Sequence, residues 1–232
     1  MSKLWDTLQL DCRGIFANKW KFSDGKTVPD VDDILLGNDG INLDAVVLYA
    51  DLVESTALVS NYEPHFAAEV YKSYLSSACK IIKNREGTIV GFDGDRVMAI
   101  FVGRSKNTQA LQAALWINGA VKRILNPALK TQYPDSNYVI RQAVGVDSGE
   151  ILVAKTGVRG DNDLVWVGKA ANYAAKLCTI RSEDYTSYCT AAVWKNALDE
   201  VKFHNGKDIW ESRVWTKENS MPIYRSNWTW TF

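Results

Sequence analysis

From about residue 42 onward, hydrophobic and polar positions fall into clear periods. The run Asp44-Ala45-Val46-Val47-Leu48-Tyr49-Ala50 is almost wholly apolar and predicts a buried strand over 44–50. Over 63–83, apolar residues recur at Phe66, Val70, Tyr74, Ala78, Ile81 and Ile82. That spacing predicts a helix with one buried face, ended by the segment from Asn84 to Gly87. Thr88 to Val90 and Arg96 to Val102 predict two strands joined by the tight-turn sequence Phe92-Asp93-Gly94-Asp95. A second helix is predicted over 107–125, with Leu111, Ala114, Leu115, Val121, Ile124 and Leu125 on one face. Pro127 and Pro134 mark the connection to a strand over 138–146. The order β-α-β-β-α-β predicts an α+β, ferredoxin-like domain.

Further elements follow this frame: a strand pair near 150–156 and 163–167, a helix over 169–180, and short strands with a helix near 190–198. Residues 1–40 are of mixed character. Trp5, Leu8, Leu10, Ile15, Phe16, Trp20 and Phe22 show no sustained period, and Gly37 to Gly40 form a turn cluster. The division is therefore an N-terminal extension, 1–40, and one catalytic-type domain, 41–232. Trp210, Trp215, Trp228 and Trp230 in the tail fit edge-strand packing, with a subunit contact as the alternative.

Composition narrows the function classes. The 232 residues carry 27 basic and 27 acidic side chains, for zero net charge, which argues against a general nucleic-acid binder. Cys12, Cys79, Cys178 and Cys189 are scattered with no C-x-x-C pair, the pattern of free thiols in a reducing compartment. No apolar run is long enough to span a membrane and no leader pattern opens the chain, so a cytoplasmic protein without membrane contact is expected.

The candidate chemistry centres on two aspartates at strand ends, Asp51 and Asp95. Two such carboxylates facing one cleft can hold two divalent metals, an arrangement suited to phosphoryl chemistry. Taken singly, each is as easily a solvated turn aspartate.

Four motifs in order resemble the class III nucleotidyl cyclases over roughly residues 43–200. They are Tyr49-Ala50-Asp51-Leu52-Val53-Glu54-Ser55-Thr56, Gly94-Asp95-Arg96-Val97-Met98-Ala99, the strand-turn-strand Ala143 to Ile151, and Trp166 to Leu177. The resemblance implies attack of a ribose 3′-oxygen on the α-phosphate of a nucleoside triphosphate, with loss of pyrophosphate. It implies two Mg²⁺ or Mn²⁺ ions shared by Asp51 and Asp95, oxygen donors that hard cations prefer. Backbone groups of Leu52 and Val53, and N–H groups through Ser55 and Thr56 near a helix start, would meet metal or phosphate. Ser55 and Thr56 also suit a helix cap. Asn172 matches the catalytic asparagine that orients the ribose. Lys176 stands where the family has a transition-state arginine, and supplies a point charge where arginine supplies a planar fork.

The base-selecting positions depart from the purine pattern: they are Gly91 and Val165, and neither side chain can hydrogen-bond a purine edge. Tyr49 precedes Asp51 by two positions, on the same strand face, and Arg96 directly follows Asp95. This combination resembles the pyrimidine-specific branch of the family, the uridylate and cytidylate cyclases of bacterial anti-phage (Pycsar) defence. Arginine has only donors, so Arg96 at the O4 edge would favour uracil, and UTP is preferred over CTP. A salt bridge from Arg96 to Asp93 or Glu54, and plain strand packing of Tyr49, are the alternatives.

In this family the metal aspartates and the asparagine helix meet across a head-to-tail dimer, so a homodimer with two composite sites is implied, whose cyclic product would signal to a separate effector protein. Lys217, Arg213 and Lys207 are equal candidates for the terminal phosphates. An adenylate cyclase with atypical base contacts and a non-catalytic nucleotide-binding module are the competing readings. A diguanylate cyclase or polymerase palm is disfavoured by the Asn-x-x-x-Lys helix.

Overall fold

The structure, a computed structural model, describes residues 2–182 and 184–230. Its elements in chain order begin with α1 (Lys3–Ala17), β1 (Lys21–Asp24), β2 (Asp39–Leu52), α2 (Ser55–Asn61) and α3 (Pro64–Asn84). Next come β3 (Thr88–Asp93), β4 (Arg96–Phe101), α4 (Lys106–Ala120), α5 (Asn126–Gln132), β5 (Gln142–Val158) and β6 (Asp161–Val167). The chain ends with α6 (Lys169–Leu177), β7 (Ser187–Thr190), α7 (Ala191–Asn196), β8 (Phe203–His204), β9 (Lys207–Asp208), β10 (Glu211–Trp215) and β11 (Met221–Ser226).

The central strands run in the order β5-β2-β4-β3, all antiparallel, with α3 and α4 as the crossovers. This is the ferredoxin-like βαββαβ unit. β7, β11 and β10 extend the sheet beyond β5, β6 pairs the far half of β5, and β1 pairs the start of β2.

Alternation along β2 divides the core. Val46, Leu48, Ala50 and Leu52 face α3 and α4, packing on Phe66, Val70, Tyr74, Leu111 and Leu115. Leu43, Ala45 and Val47 face the other way, toward Ala170, Ala171 and Ala174 of α6. The helix sits very close to the sheet because Gly145 of β5 has no side chain. A Cβ there would lie 2.2 Å from the carbonyl oxygen of Ala174 and 2.4 Å from the nitrogen of Cys178. A third cluster, of Leu177, Tyr188, Trp215 and Ile223, ties the end of α6 to the β7-β11-β10 extension.

Several elements differ from their expected form. The strands predicted over 138–146 and 150–156 are one continuous strand, β5, because Gly149 stays in the extended ladder opposite Ala45. Pro127 does not end the helix over 107–125. It sits in the first turn of α5, where no N–H is needed, and a π turn over 121–125 joins α4 to α5. Residues 3–17 form a helix with no buried residue, and Leu4, Trp5, Leu8, Ile15 and Phe16 are exposed along it. Asn38 holds its end, donating to the carbonyls of Ile15 and Asn18 at 2.8 Å each. In the tail, Trp210 and Trp215 are buried, and Trp228 and Trp230 pack on the first core. Cys178 and Cys189 are buried free thiols, Cys79 is partly buried and Cys12 is exposed. No helix among the described residues is long and apolar enough to cross a membrane.

Candidate active site

The site is built at one end of the β2–β4 ladder. Tyr49 pairs with Met98 and Ala50 with Val97. One step further along the ladder, Asp51 stands opposite Arg96. Asp51 is 4% exposed, and its Oδ2 lies 3.5 Å from Nη2 of Arg96. The Arg96 guanidinium carbon is 6.0 Å from the Tyr49 ring centroid, so Arg96 stands between Tyr49 and the metal-ligand candidate Asp51. Arg96 thus pairs with Asp51. Glu54, an alternative partner, is engaged by Arg141 instead. Burial works against the charge on Arg96, but Asp51 holds its pKa above the ordinary arginine value. Burial raises the Tyr49 phenol, and Arg96 partly offsets this.

Asp95 sits in the β3–β4 turn, where Gly94 takes a positive φ of 60°. Burial raises the Asp95 pKa, a hydrogen bond from Ser55 lowers it, and neighbouring Asp51 raises it again. Its Oδ2 is buried without a hydrogen-bond partner among the described residues. That orphaned oxygen, beside a second buried carboxylate, is what a hard divalent cation fits. Among the described residues no group of three or more His, Cys, Asp or Glu could hold a metal, so two carboxylates are the side-chain donors available.

The residues after Asp51 differ in part from expectation. Leu52 is buried and its neighbour Val53 donates its N–H to the Arg141 carbonyl at 2.8 Å. The Val53 donor is therefore engaged at the sheet end and is not turned to phosphate. Ser55 and Thr56 do not cap α2: the N-cap is Glu54, in the left-handed region at φ 63°, with no side-chain cap bond. Ser55 is the first helical residue and turns to Asp95.

A second group of residues lies on α6 and β10–β11. Asn172 and Lys176 are exposed, on the side of α6 away from its buried alanines. Lys176 Nζ is 2.6 Å from Glu218 Oε1. Lys176, Arg213, Lys217 and Arg225 line one cleft of about 720 Å³. Lys207 lies outside it, on the separate β8–β9 hairpin. Val165 is on β6 opposite Ala154, whereas Asp51 is opposite Ala143. Eleven residues of β5 separate the two registers, roughly 35 Å at strand rise. Gly91 is open, with nothing within 4 Å of where a Cβ would stand.

One charged residue escaped the sequence reading. Arg181, in the irregular segment after α6, places Nη2 3.2 Å from Asp51 Oδ2 and Nη1 2.7 Å from the Cys178 carbonyl. The available signal was a lone cation five residues past Lys176. Cys178 itself is buried among these groups, its thiol pushed up to about 12 mainly by burial, so it stays protonated.

No protein-family profile matches the chain. Individual proteins match strongly. A protein from Xanthomonas perforans named uridylate cyclase is 47% identical over 98% of both chains. A uridylate cyclase from Burkholderia cepacia is 42% identical over 93% of both. A third, from Rhodovulum sp. (strain MB263), is 34% identical over 96% of this chain and 95% of its own. Among solved structures, the guanylyl cyclase Cya2 superposes with a TM-score of 0.68 at 18% identity, over 82% of this chain and 95% of its own. The adenylyl cyclase CyaB from P. aeruginosa gives 0.65 at 18%, over 81% and 95%. With a βαββαβ sheet, two carboxylates at one strand end and full-length relatives of this kind, the chain belongs to the class III nucleotidyl cyclases, in the group whose members are named uridylate cyclases, and is a nucleotidyl cyclase.

Proposed function

We propose that the chain converts UTP to the 3′,5′-cyclic monophosphate and pyrophosphate. The observation that carries this reading is Arg96, placed between the Tyr49 ring and the Asp51 carboxylate, with Gly91 open. Arg96 offers donors only, and uracil presents two carbonyl acceptors. The full-length relatives named uridylate cyclases support the same base.

In the reaction the ribose 3′-oxygen forms a bond to the α-phosphorus. The bond from the α-phosphorus to the bridging oxygen breaks, pyrophosphate leaves and the 3′-hydroxyl proton is lost. Two divalent ions, Mn²⁺ or Mg²⁺, would acidify the 3′-hydroxyl and carry charge on the phosphates when bound. Asp51 and Asp95 would hold them. Asn172 orients the ribose, Lys176 meets charge developing on the α-phosphate, and Lys217 with Arg213 takes the terminal phosphates.

We take the two sets to meet across two chains, as the family resemblance implies. Val165 and Asp51 lie at opposite ends of β5, and Asn172 and Lys176 are on the outer side of α6. This separation supports a homodimer with two composite sites. The cyclic product would signal to a separate effector protein, in anti-phage defence.

A product assay tests the proposal. Protein with Mn²⁺ is offered ATP, GTP, CTP and UTP singly and as an equimolar mixture, with products identified by mass spectrometry. Cyclic UMP should dominate the mixture. Cyclic CMP would move the base choice, and cyclic AMP or GMP would remove the argument from Tyr49, Arg96, Gly91 and Val165. No cyclic product from verified dimer would leave a nucleotide-binding module.

A further inference from the structure

Asp51 has more positive charge around it than its role as a metal ligand requires. Two guanidinium groups converge on a single oxygen, Oδ2: Arg96 at 3.5 Å and Arg181 at 3.2 Å. They are held differently. Arg96 stands at the start of β4, opposite Asp51 in the ladder, with a side chain 27% exposed. Arg181 is 42% exposed and lies in the irregular segment after α6, tied there by one bond to the Cys178 carbonyl.

Arg181 also has a second place to go. It lines the cleft that holds Lys176, Arg213, Lys217 and Arg225, against Glu218 as the acidic group on the wall. Its side chain therefore stands between a buried carboxylate and a cationic cleft suited to phosphate oxygens.

A divalent cation held by Asp51 would add two positive charges to the carboxylate that both arginines face. The like-charge repulsion is relieved by moving the arginine that is more exposed and less constrained. We propose that Arg181 is an exchangeable counter-ion. It neutralises Asp51 before the cation binds, competes with the cation for the carboxylate, and once displaced contributes its guanidinium to its own chain's cleft, which in the proposed dimer serves the second composite site, as a further triphosphate-binding residue. This inference rests on the assignment of Asp51 as a metal ligand.

The two roles have opposite signs in one variant. Free Mn²⁺ is measured by electron paramagnetic resonance while the full-length protein is titrated without nucleotide. Arg181→Gln should bind Mn²⁺ about three- to tenfold more tightly than the parent, the worth of a half-exposed charge pair. Binding of 3′-deoxy-UTP at saturating Mn²⁺, which cannot cyclise, should weaken by a similar factor. A substitution that merely damages the fold would weaken both. Arg181→Lys, which keeps the charge, should stay within about twofold of the parent in Mn²⁺ affinity, and serves if the glutamine variant unfolds.

Unchanged or weaker Mn²⁺ binding by Arg181→Gln overturns the proposal, as does unchanged analogue binding. Asp51→Asn separates this from failure of the metal assignment. If Asp51→Asn binds Mn²⁺ like the parent, the assignment itself falls. If it loses Mn²⁺ while Arg181→Gln behaves like the parent, only the role of Arg181 falls.

Discussion

Lys176, the residue proposed to meet transition-state charge, is held by Glu218 within its own chain, Nζ to Oε1 at 2.6 Å. A substrate phosphate must therefore take the lysine away from a carboxylate. Removing that competitor with Glu218→Gln is expected to raise kcat by about two- to fivefold with KM little changed, the worth of a partly exposed ion pair. Lys176→Ala should instead lower kcat by about a hundredfold with KM little changed, the pattern of an interaction made in the transition state. Steady-state kinetics on both variants distinguish the two effects; a rise in KM alone in Lys176→Ala would make Lys176 a binding residue.

Asp51→Ala and Asn172→Ala are each expected to be inactive as homodimers. Mixed and allowed to exchange chains, they should recover activity, because one composite site in each heterodimer keeps both groups. The ceiling is about a quarter of the parent rate at equal mixing, since half of the dimers carry one intact site of two. Absence of rescue with exchange verified by mass spectrometry would count against shared sites.

Asp147 offers a pH test that does not depend on catalysis. It is buried in β5, accepts a hydrogen bond from Thr190, and lies near buried Cys189. Burial raises its carboxyl from 3.8 to about 6, with the Thr190 bond lowering it in part. The folded state thus binds this proton more tightly than the unfolded chain. Its contribution is fully present below the unfolded pKa and is lost as pH rises through the folded one. Above that pH the ionised group costs about 2–3 kcal/mol. Asp147→Asn keeps an acceptor for Thr190 and has no charge to bury. Its Tm should gain on the parent between pH 4 and pH 7, and a constant difference across that range would refute the assignment.

The two glycines of the Gly145-x-x-x-Gly149 segment should respond differently to alanine. At Gly145 the new Cβ meets the α6 backbone at 2.2 Å and 2.4 Å, and backbone cannot rotate aside. Gly145→Ala should cost about 3 kcal/mol or more and displace the helix that carries Asn172 and Lys176. At Gly149 the nearest group is the Ala170 Cβ at 3.9 Å, an ordinary contact. Gly149→Ala should leave Tm within a few degrees of the parent. Calorimetry on the pair checks both.

What the sequence disclosed follows the physics of each segment. β2 and α3 were legible because one buried face imposes a period, as Val46, Leu48 and Ala50, or Phe66, Val70 and Tyr74, show. α1 was not, because a helix that buries nothing leaves no such constraint on Leu10 or Phe16. β5 was divided in the reading because its glycines suggested a turn, whereas Gly145 serves the close approach of α6. In the site, strand ends and motif order mark Asp51, Asp95 and Arg96 as candidates, and Asp51 and Arg96 lie together in the structure. Arg181 was not legible: its partner lies 130 residues earlier, and no local pattern records a contact of that range.

The exposed α1 has a consequence for how the molecules behave toward one another in solution. With 27 basic and 27 acidic side chains there is no net repulsion to hold copies apart near neutral pH. An uncovered helix bearing Leu4, Trp5, Leu8, Ile15 and Phe16 then makes an oily contact the cheapest encounter. Its strength grows with sulfate and does not fall, as a charged contact would. Self-association of this kind is thus written into residues 3–17, apart from the folded sheet and its chemistry.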